Sequence, residues 1–195
     1  MMKLAVHALP DAAGAWPRLS ATQPTVLALK LPRGTRRERA REQVRTALRG
    51  LLGAHFGIAA EAVALSGTPG QPIRLDHPEA PIEISISHAE GCSLLALWPQ
   101  GEVGVDLMLP IPLPEMQNLA SQYLGPEVAQ TLAAVAVPKR EQAFAAAWCR
   151  HEAALKCLGE PLDEWSEAMA ARLLRCRLAM LDLPAPWVGA TAWLT

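Results

Sequence analysis

Apolar residues recur every three or four positions at Ala40, Val44, Ala47, Leu48, Leu51 and Leu52, the spacing of one helix face. Thr35 precedes Glu38 in the capping-box pattern, so a helix is predicted from Thr35 to Phe56, stopped by Gly57. Further on the repeat shortens to two. Ile82-Glu83-Ile84-Ser85-Ile86-Ser87-His88 alternates strictly and predicts a half-buried strand, isoleucines inward and Glu83, Ser85 and Ser87 outward. Ser87 and His88 then point to opposite faces and cannot pair as nucleophile and base, which argues against a serine hydrolase. The turn at Ala89-Glu90-Gly91 can still present both to a ligand. Cys92 to Trp98 reads as a return strand buried on both faces. Val103 to Met108 alternates again, with Val103, Val105 and Leu107 on one face and Gly104, Asp106 and Met108 on the other.

Weaker patterns fill in the rest. Met1 to Leu9 reads as a first strand, Thr25 to Leu29 as a second and Ala62 to Ser66 as a short third, followed by the turn-rich Gly67 to Pro72. Pro110, Pro112 and Pro114 form a stiff linker that divides the chain into 1–109 and 110–195. Beyond it, helices are predicted at Pro114–Leu124, Pro126–Ala136 and Pro138–Leu158, each with proline near its first turn. A helical piece at Glu164–Met180 and a closing strand at Trp187–Leu194 complete the expectation.

Composition narrows the function. Apolar residues make up 51% and the formal net charge is −1, which implies a soluble globular protein without a general basic field for nucleic acid. No apolar run is long enough to span a membrane, and the apolar part of the first ten residues is too short for a signal peptide. Cys92, Cys149, Cys157 and Cys176 lack paired spacing, so free thiols in a reducing cytoplasm are expected. The charge is uneven locally. Arg33, Arg36, Arg37, Arg39, Arg41, Arg45 and Arg49 crowd the first long helix against Glu38 and Glu42. This is either a solvated face or, for one or two of them, an anion site, since a guanidinium matches phosphate geometry.

Two carboxylates stand out. Asp106 is alone among apolar residues on its strand, costly to bury unless something pairs with it, and Gly104 beside it permits a close approach. Glu152 and Lys156 continue a helical stripe begun by Phe144 and Trp148. They are either an ordinary surface pair or groups aimed into a cleft.

Ile84-Ser85-Ile86-Ser87-His88, Gly104-Val105-Asp106 and the Trp148-x-x-His151-Glu152-Ala153-x-x-Lys156 helix, in that order, resemble the 4′-phosphopantetheinyl transferase superfamily, closest to its surfactin-type branch. That family is marked by a Ser-His strand end, a Gly-Val/Ile-Asp-x-Glu strand and a Trp-x-x-Lys-Glu-Ala-x-x-Lys helix. Arg45-Thr46-Ala47-Leu48-Arg49 and Gly70-Gln71-Pro72 are weaker echoes, and the likeness covers roughly residues 30 to 165.

The resemblance implies transfer of the 4′-phosphopantetheine arm of coenzyme A to a serine of an acyl or peptidyl carrier protein. The reaction depends on Mg²⁺ and releases adenosine 3′,5′-bisphosphate. It implies Asp106 and Glu152 as the Mg²⁺ ligands, Glu152 as acceptor of the serine proton and Lys156 as the charge facing the transferred phosphate. Ser87 and His88 would hold coenzyme A phosphates, with Arg45 and Arg36 at the 3′-phosphate. The fold implied is α+β: two similar subdomains with small antiparallel sheets and long helices, related by a pseudo-twofold, the second shortened, in a monomer. Three positions depart from the pattern. Met108 replaces an acidic residue, and His151 and Gln71 replace lysines. A non-catalytic relative that binds coenzyme A or a carrier protein is therefore the second reading.

Overall fold

The computed structural model describes residues 2–9, 16–67, 73–76 and 81–194. The chain begins with two short strands, β1 (Lys3–Ala5) and β2 (His7–Leu9), followed by β3 (Thr25–Lys30) and α1 (Arg37–Phe56). A 3-10 turn at Ala60–Ala62 leads to a two-stranded ribbon, β4 (Leu65–Ser66) with β5 (Arg74–Leu75). Then come β6 (Glu83–Ala89), β7 (Cys92–Trp98) and β8 (Val103–Met108). The second half holds α2 (Met116–Leu119), a π-helical turn at Ala120–Leu124, α3 (Pro126–Ala133), α4 (Val137–Leu158), α5 (Glu167–Leu173), β9 (Arg177–Asp182) and β10 (Val188–Trp193).

The strands form two four-stranded sheets of like construction, ordered β2-β3-β7-β6 and β1-β9-β10-β8. In each, a three-residue N-terminal strand runs parallel along one edge and the other pairings are antiparallel. The connectivity repeats as well. The strand–helix–strand–strand series β3-α1-β6-β7 recurs as β8-α4-β9-β10, with the last strand central in both. By pairing, β8 belongs with the C-terminal strands. This is an α+β fold with small sheets, as the sequence led us to expect.

Two inner faces meet in one core containing Val26, Leu94, Trp98, Val105, Leu181 and Trp193. Outside the first sheet, α1 buries Val44, Leu48, Leu51 and Leu52 against Leu27, Ile84, Leu95 and Leu97. Outside the second, α4 packs Ala145, Cys149, Ala153 and Cys157 on Ala190 and Ala192. The layers are thus helix, sheet, sheet, helix, each helix placed by the face its periodicity marks.

Some expectations change. Thr35 does not cap α1: Arg36 is the N-cap without a side-chain bond, and the Thr35 hydroxyl instead donates to the Pro32 carbonyl at 2.6 Å. Gly57 does end the helix, in the left-handed region at φ 68° where glycine is least strained. The first strand is two strands, one in each sheet. Ala62 to Ser66 is part 3-10 turn and part strand. Helix Glu164–Met180 is corrected to the short α5, N-capped by Ser166, and the strand β9. Arg177-Leu178-Ala179-Met180-Leu181-Asp182 lies between β1 and β10, and a strand flanked on both sides has the continuous apolar run that also suits a helix. No helix among the described residues is long and apolar enough to cross a membrane.

Candidate active site

The site begins where α4 crosses β8. A Cβ on Gly104 would stand 1.9 Å from the Ala153 carbonyl oxygen and 2.5 Å from the Cys157 amide, so only glycine allows this approach. Ala145, Cys149, Ala153 and Cys157, spaced by four, are the small residues on the helix side of that contact. With this stripe seated on the sheet, the neighbouring stripe of Trp148, Glu152 and Lys156 reaches the wall of an open cleft of about 1810 Å³.

Lys156 is not paired with Glu152 as on a simple helix surface. Its ammonium crosses to Asp106 Oδ1 at 2.7 Å and also donates to the Val105 carbonyl at 3.2 Å. Asp106 is 8% exposed, and this ion pair is what makes its burial tolerable. Glu152 lines the same cleft, half-buried. Burial raises its carboxyl pKa above the ordinary value, the Asp106 charge raises it further, and Lys156 lowers it in part. Two carboxylates on different elements thus feel each other across one cavity.

The strand β6 joins the sheets in a way that alternation alone conceals. Ser85 and Ser87 are buried rather than facing solvent. The Val105 amide donates to Ser85 Oγ at 3.0 Å and the Leu107 amide to Ser87 Oγ at 3.1 Å, so two hydroxyls cap the edge of β8 that lacks a strand partner. Ser87 in turn donates to Asp106 Oδ1 at 2.8 Å.

His88 points to the other face, as its neighbour's direction requires, and its Nδ1 meets Ser93 Oγ at 2.7 Å. Its pKa falls to about 4, first through burial and then through the charges of Arg37, Arg41 and Lys156. The imidazole is neutral at pH 7 in a positive field.

Of the arginine-rich helix, Arg37, Arg41, Arg45 and Arg49, spaced by four, line the cleft. Arg36 is the N-cap and lies off that lining, whereas Arg37 and Arg41, not singled out by the motif, lie on it. The i, i+4, i+8 spacing is the signal that could have selected them. Arg45 faces the cleft with its guanidinium donating to the Leu65 and Gly67 carbonyls of the adjoining loop. Gln71 and the rest of Gly70-Gln71-Pro72 lie outside the described residues.

Met108 also lines the cleft, in the position of the missing acid. His151 is absent from that lining, and its Nε2 is buried without a partner among the described residues. Trp148 stacks on Phe144 with centroids 5.6 Å apart and meets Tyr123 edge-on at 5.8 Å, so its packing role and its place on the wall coexist. All four cysteines are free and buried.

A divalent cation here would meet two carboxylates. No group of three or more His, Cys, Asp or Glu side chains converges among the described residues. Hard oxygen donors with room for water suit Mg²⁺, which holds several waters and takes few protein ligands. The Met108 thioether adds nothing to that set. The donor set therefore fits Mg²⁺ completed by water and phosphate oxygens.

Comparison with known proteins agrees with the motifs. A sequence profile of the 4′-phosphopantetheinyl transferase superfamily matches residues 102–179, from the start of β8 into β9. A protein of Synechocystis sp., provisionally named a 4′-phosphopantetheinyl transferase, is 28% identical over 140 residues, covering 69% of this chain and 57% of its own. The 4′-phosphopantetheinyl transferase HetI of Nostoc sp. is 26% identical over 122 residues, covering 62% of this chain and 52% of its own. The chain thus spans little more than half the length of these relatives. Profile and relatives both support the superfamily.

Proposed function

We propose, on the premise of that superfamily, that this chain transfers the 4′-phosphopantetheine arm of coenzyme A to a serine hydroxyl of an acyl or peptidyl carrier protein, releasing adenosine 3′,5′-bisphosphate. The observation that carries the proposal is that Asp106 and Glu152, close enough for the charge of one to raise the pKa of the other, line a single cleft walled by Arg37, Arg41, His88 and Lys156. Anionic substrate and carboxylate pair need each other: phosphates match the basic wall, and a cation between them and the carboxylates relieves repulsion.

In this reading Asp106 and Glu152 would hold Mg²⁺, which would supply Lewis-acid relief of the charge on the pyrophosphate. Glu152, its carboxyl pKa raised first by burial and then by the Asp106 charge, accepts the proton of the carrier serine. Lys156, released in part from Asp106 when phosphate arrives, offsets charge on the transferred phosphoryl group. Neutral His88, with Nδ1 engaged by Ser93, has Nε2 available to donate to a phosphate oxygen. Arg37, Arg41 and Arg45 receive the remaining phosphates, a role the motif gave to Arg45 and Arg36. The cleft is large enough for coenzyme A. The surfactin-type branch, a monomer in the cytoplasm, and a division of labour in which 1–109 binds coenzyme A while 110–195 carries the catalytic helix 138–158, belong to the same proposal.

Mass spectrometry tests it. Incubated with coenzyme A, Mg²⁺ and an apo carrier protein, the chain is expected to add the phosphopantetheine mass to the carrier. Asp106→Ala and Glu152→Ala are expected to abolish the addition. Met108, in the place of a third oxygen donor, favours the second reading, a binder of coenzyme A without transfer. Tight binding of coenzyme A with no modification of several carriers would establish that reading instead.

A further inference from the structure

We infer that Ser87 is a positioning residue for Asp106 rather than a contact for coenzyme A, a proposal that rests on the transferase reading above. A hydroxyl has one proton to give and lone pairs to accept with. The Leu107 amide donates to Ser87 Oγ at 3.1 Å, which fixes the oxygen, and the proton goes to Asp106 Oδ1 at 2.8 Å. Lys156 donates to that same oxygen at 2.7 Å.

Both strong donors therefore sit on Oδ1. No other side-chain hydrogen bond reaches the carboxyl among the described residues: the nearby Cys149 thiol gives its one proton to the Val188 carbonyl at 3.4 Å. The acceptor capacity of the carboxylate that remains free for a cation is thus concentrated at Oδ2. For Ser87 to donate to a phosphate it would have to let go of a buried carboxylate. That exchange costs a charge-assisted hydrogen bond for one no stronger.

Ser85 is the matched control. It accepts the Val105 amide at 3.0 Å, as Ser87 accepts Leu107, and it has no hydrogen bond to Asp106. Its offset of twenty residues from its β8 partner is the same. The two serines share the structural task of capping the β8 edge, and only Ser87 adds the link to the carboxylate.

The experiment measures Mn²⁺ binding by electron paramagnetic resonance with coenzyme A present, and coenzyme A binding by calorimetry without metal. Wild type, Ser87→Ala, Ser87→Thr and Ser85→Ala are compared. Ser87→Ala is expected to weaken Mn²⁺ roughly 10-fold or more, the usual effect of removing a group that orients a metal ligand. Its metal-free affinity for coenzyme A is expected to stay within about twofold of wild type, well under the tenfold that 1.4 kcal/mol represents. Ser87→Thr, which keeps the hydroxyl, restores the cation affinity. Ser85→Ala lowers the melting temperature but binds Mn²⁺ like wild type. Ser87→Cys, similar in shape and a poor donor, is expected to show the same loss if the alanine variant does not fold.

Loss of coenzyme A affinity in Ser87→Ala with unchanged Mn²⁺ binding would overturn the proposal and make Ser87 a phosphate contact. Equal loss of Mn²⁺ in Ser85→Ala would also overturn it, since a general loosening of β8 then suffices. A wild type that binds neither Mn²⁺ nor coenzyme A overturns the transferase reading itself, and this proposal with it.

Discussion

Asp106 and Lys156 stabilise each other because neither has a better partner. Removing the cation leaves a carboxylate at 8% exposure with the Ser87 hydroxyl as its remaining donor. Lys156→Met is therefore expected to destabilise the fold by about 1–3 kcal/mol, read as a shift in the urea midpoint. Adding Asp106→Asn should recover part of the loss, because it removes the charge that was left unpaired. His88 gives a second expectation. Its folded pKa, about 4, lies below the 6.5 of an unfolded histidine. The unfolded chain then binds more protons between those values, so stability rises with pH through that window and is lost as pH falls from about 6.5 towards 4. His88→Gln should flatten that part of a plot of melting temperature against pH. Occupation of the cleft by an anion should bring the His88 pKa back up, visible in its ring chemical shifts. At this scale the sequence revealed Asp106, Glu152 and Lys156 through the oddity of charges in apolar patterns. It gave no hint of the Ser85 and Ser87 contacts, because alternation identifies which face a side chain occupies and says nothing of the strand that lies opposite. The partner residues 105 and 107 sit twenty positions along the chain.

The critical contact between elements is that of α4 with β8. At Gly104 the helix backbone comes so near that one methyl group would overlap the Ala153 carbonyl. Gly104→Ala is expected to cost about 1–3 kcal/mol or more by overpacking. It should also lower the turnover of the proposed transfer beyond the stability loss, since a displaced α4 takes Glu152 and Lys156 away from Asp106. Thermal melting and the carrier assay together separate the two effects. Long periodic elements were legible: α1, β6, β7, β8 and α4 fall close to their expected limits. The expectation failed where packing overrides pattern. Thr35 turned back to the Pro32 carbonyl instead of capping α1. The stretch after Leu173 became a strand because β10 and β1 flank it, a neighbourhood no local window contains.

The whole molecule is held by pairings that span most of its length. Met180 opposes Lys3, and Asp106 opposes Ala190 in the only backbone ladder that β8 makes among the described residues. The small-residue stripe of α4 also rests on Ala190 and Ala192. Deletion of residues 188–194 is therefore expected to abolish Mn²⁺ binding and to expose the apolar sides of both α4 and β8, detectable as a rise in dye fluorescence on hydrophobic surface. The two like sheets were implied by resemblance, and the repeated strand–helix–strand–strand order could be traced in the sequence only once β9 was recognised as a strand.

The late position of β10 bears on synthesis at the ribosome. Every side chain of the cleft is made before the strand that supports β8 and α4. Until then the first sheet can mature alone while β1, β8 and α4 wait without a seat. A nascent chain of this design is expected to complete the cleft only once β10 is free to pair, and ribosomes stalled just short of β10 should yield chains readily cut by protease beyond β7.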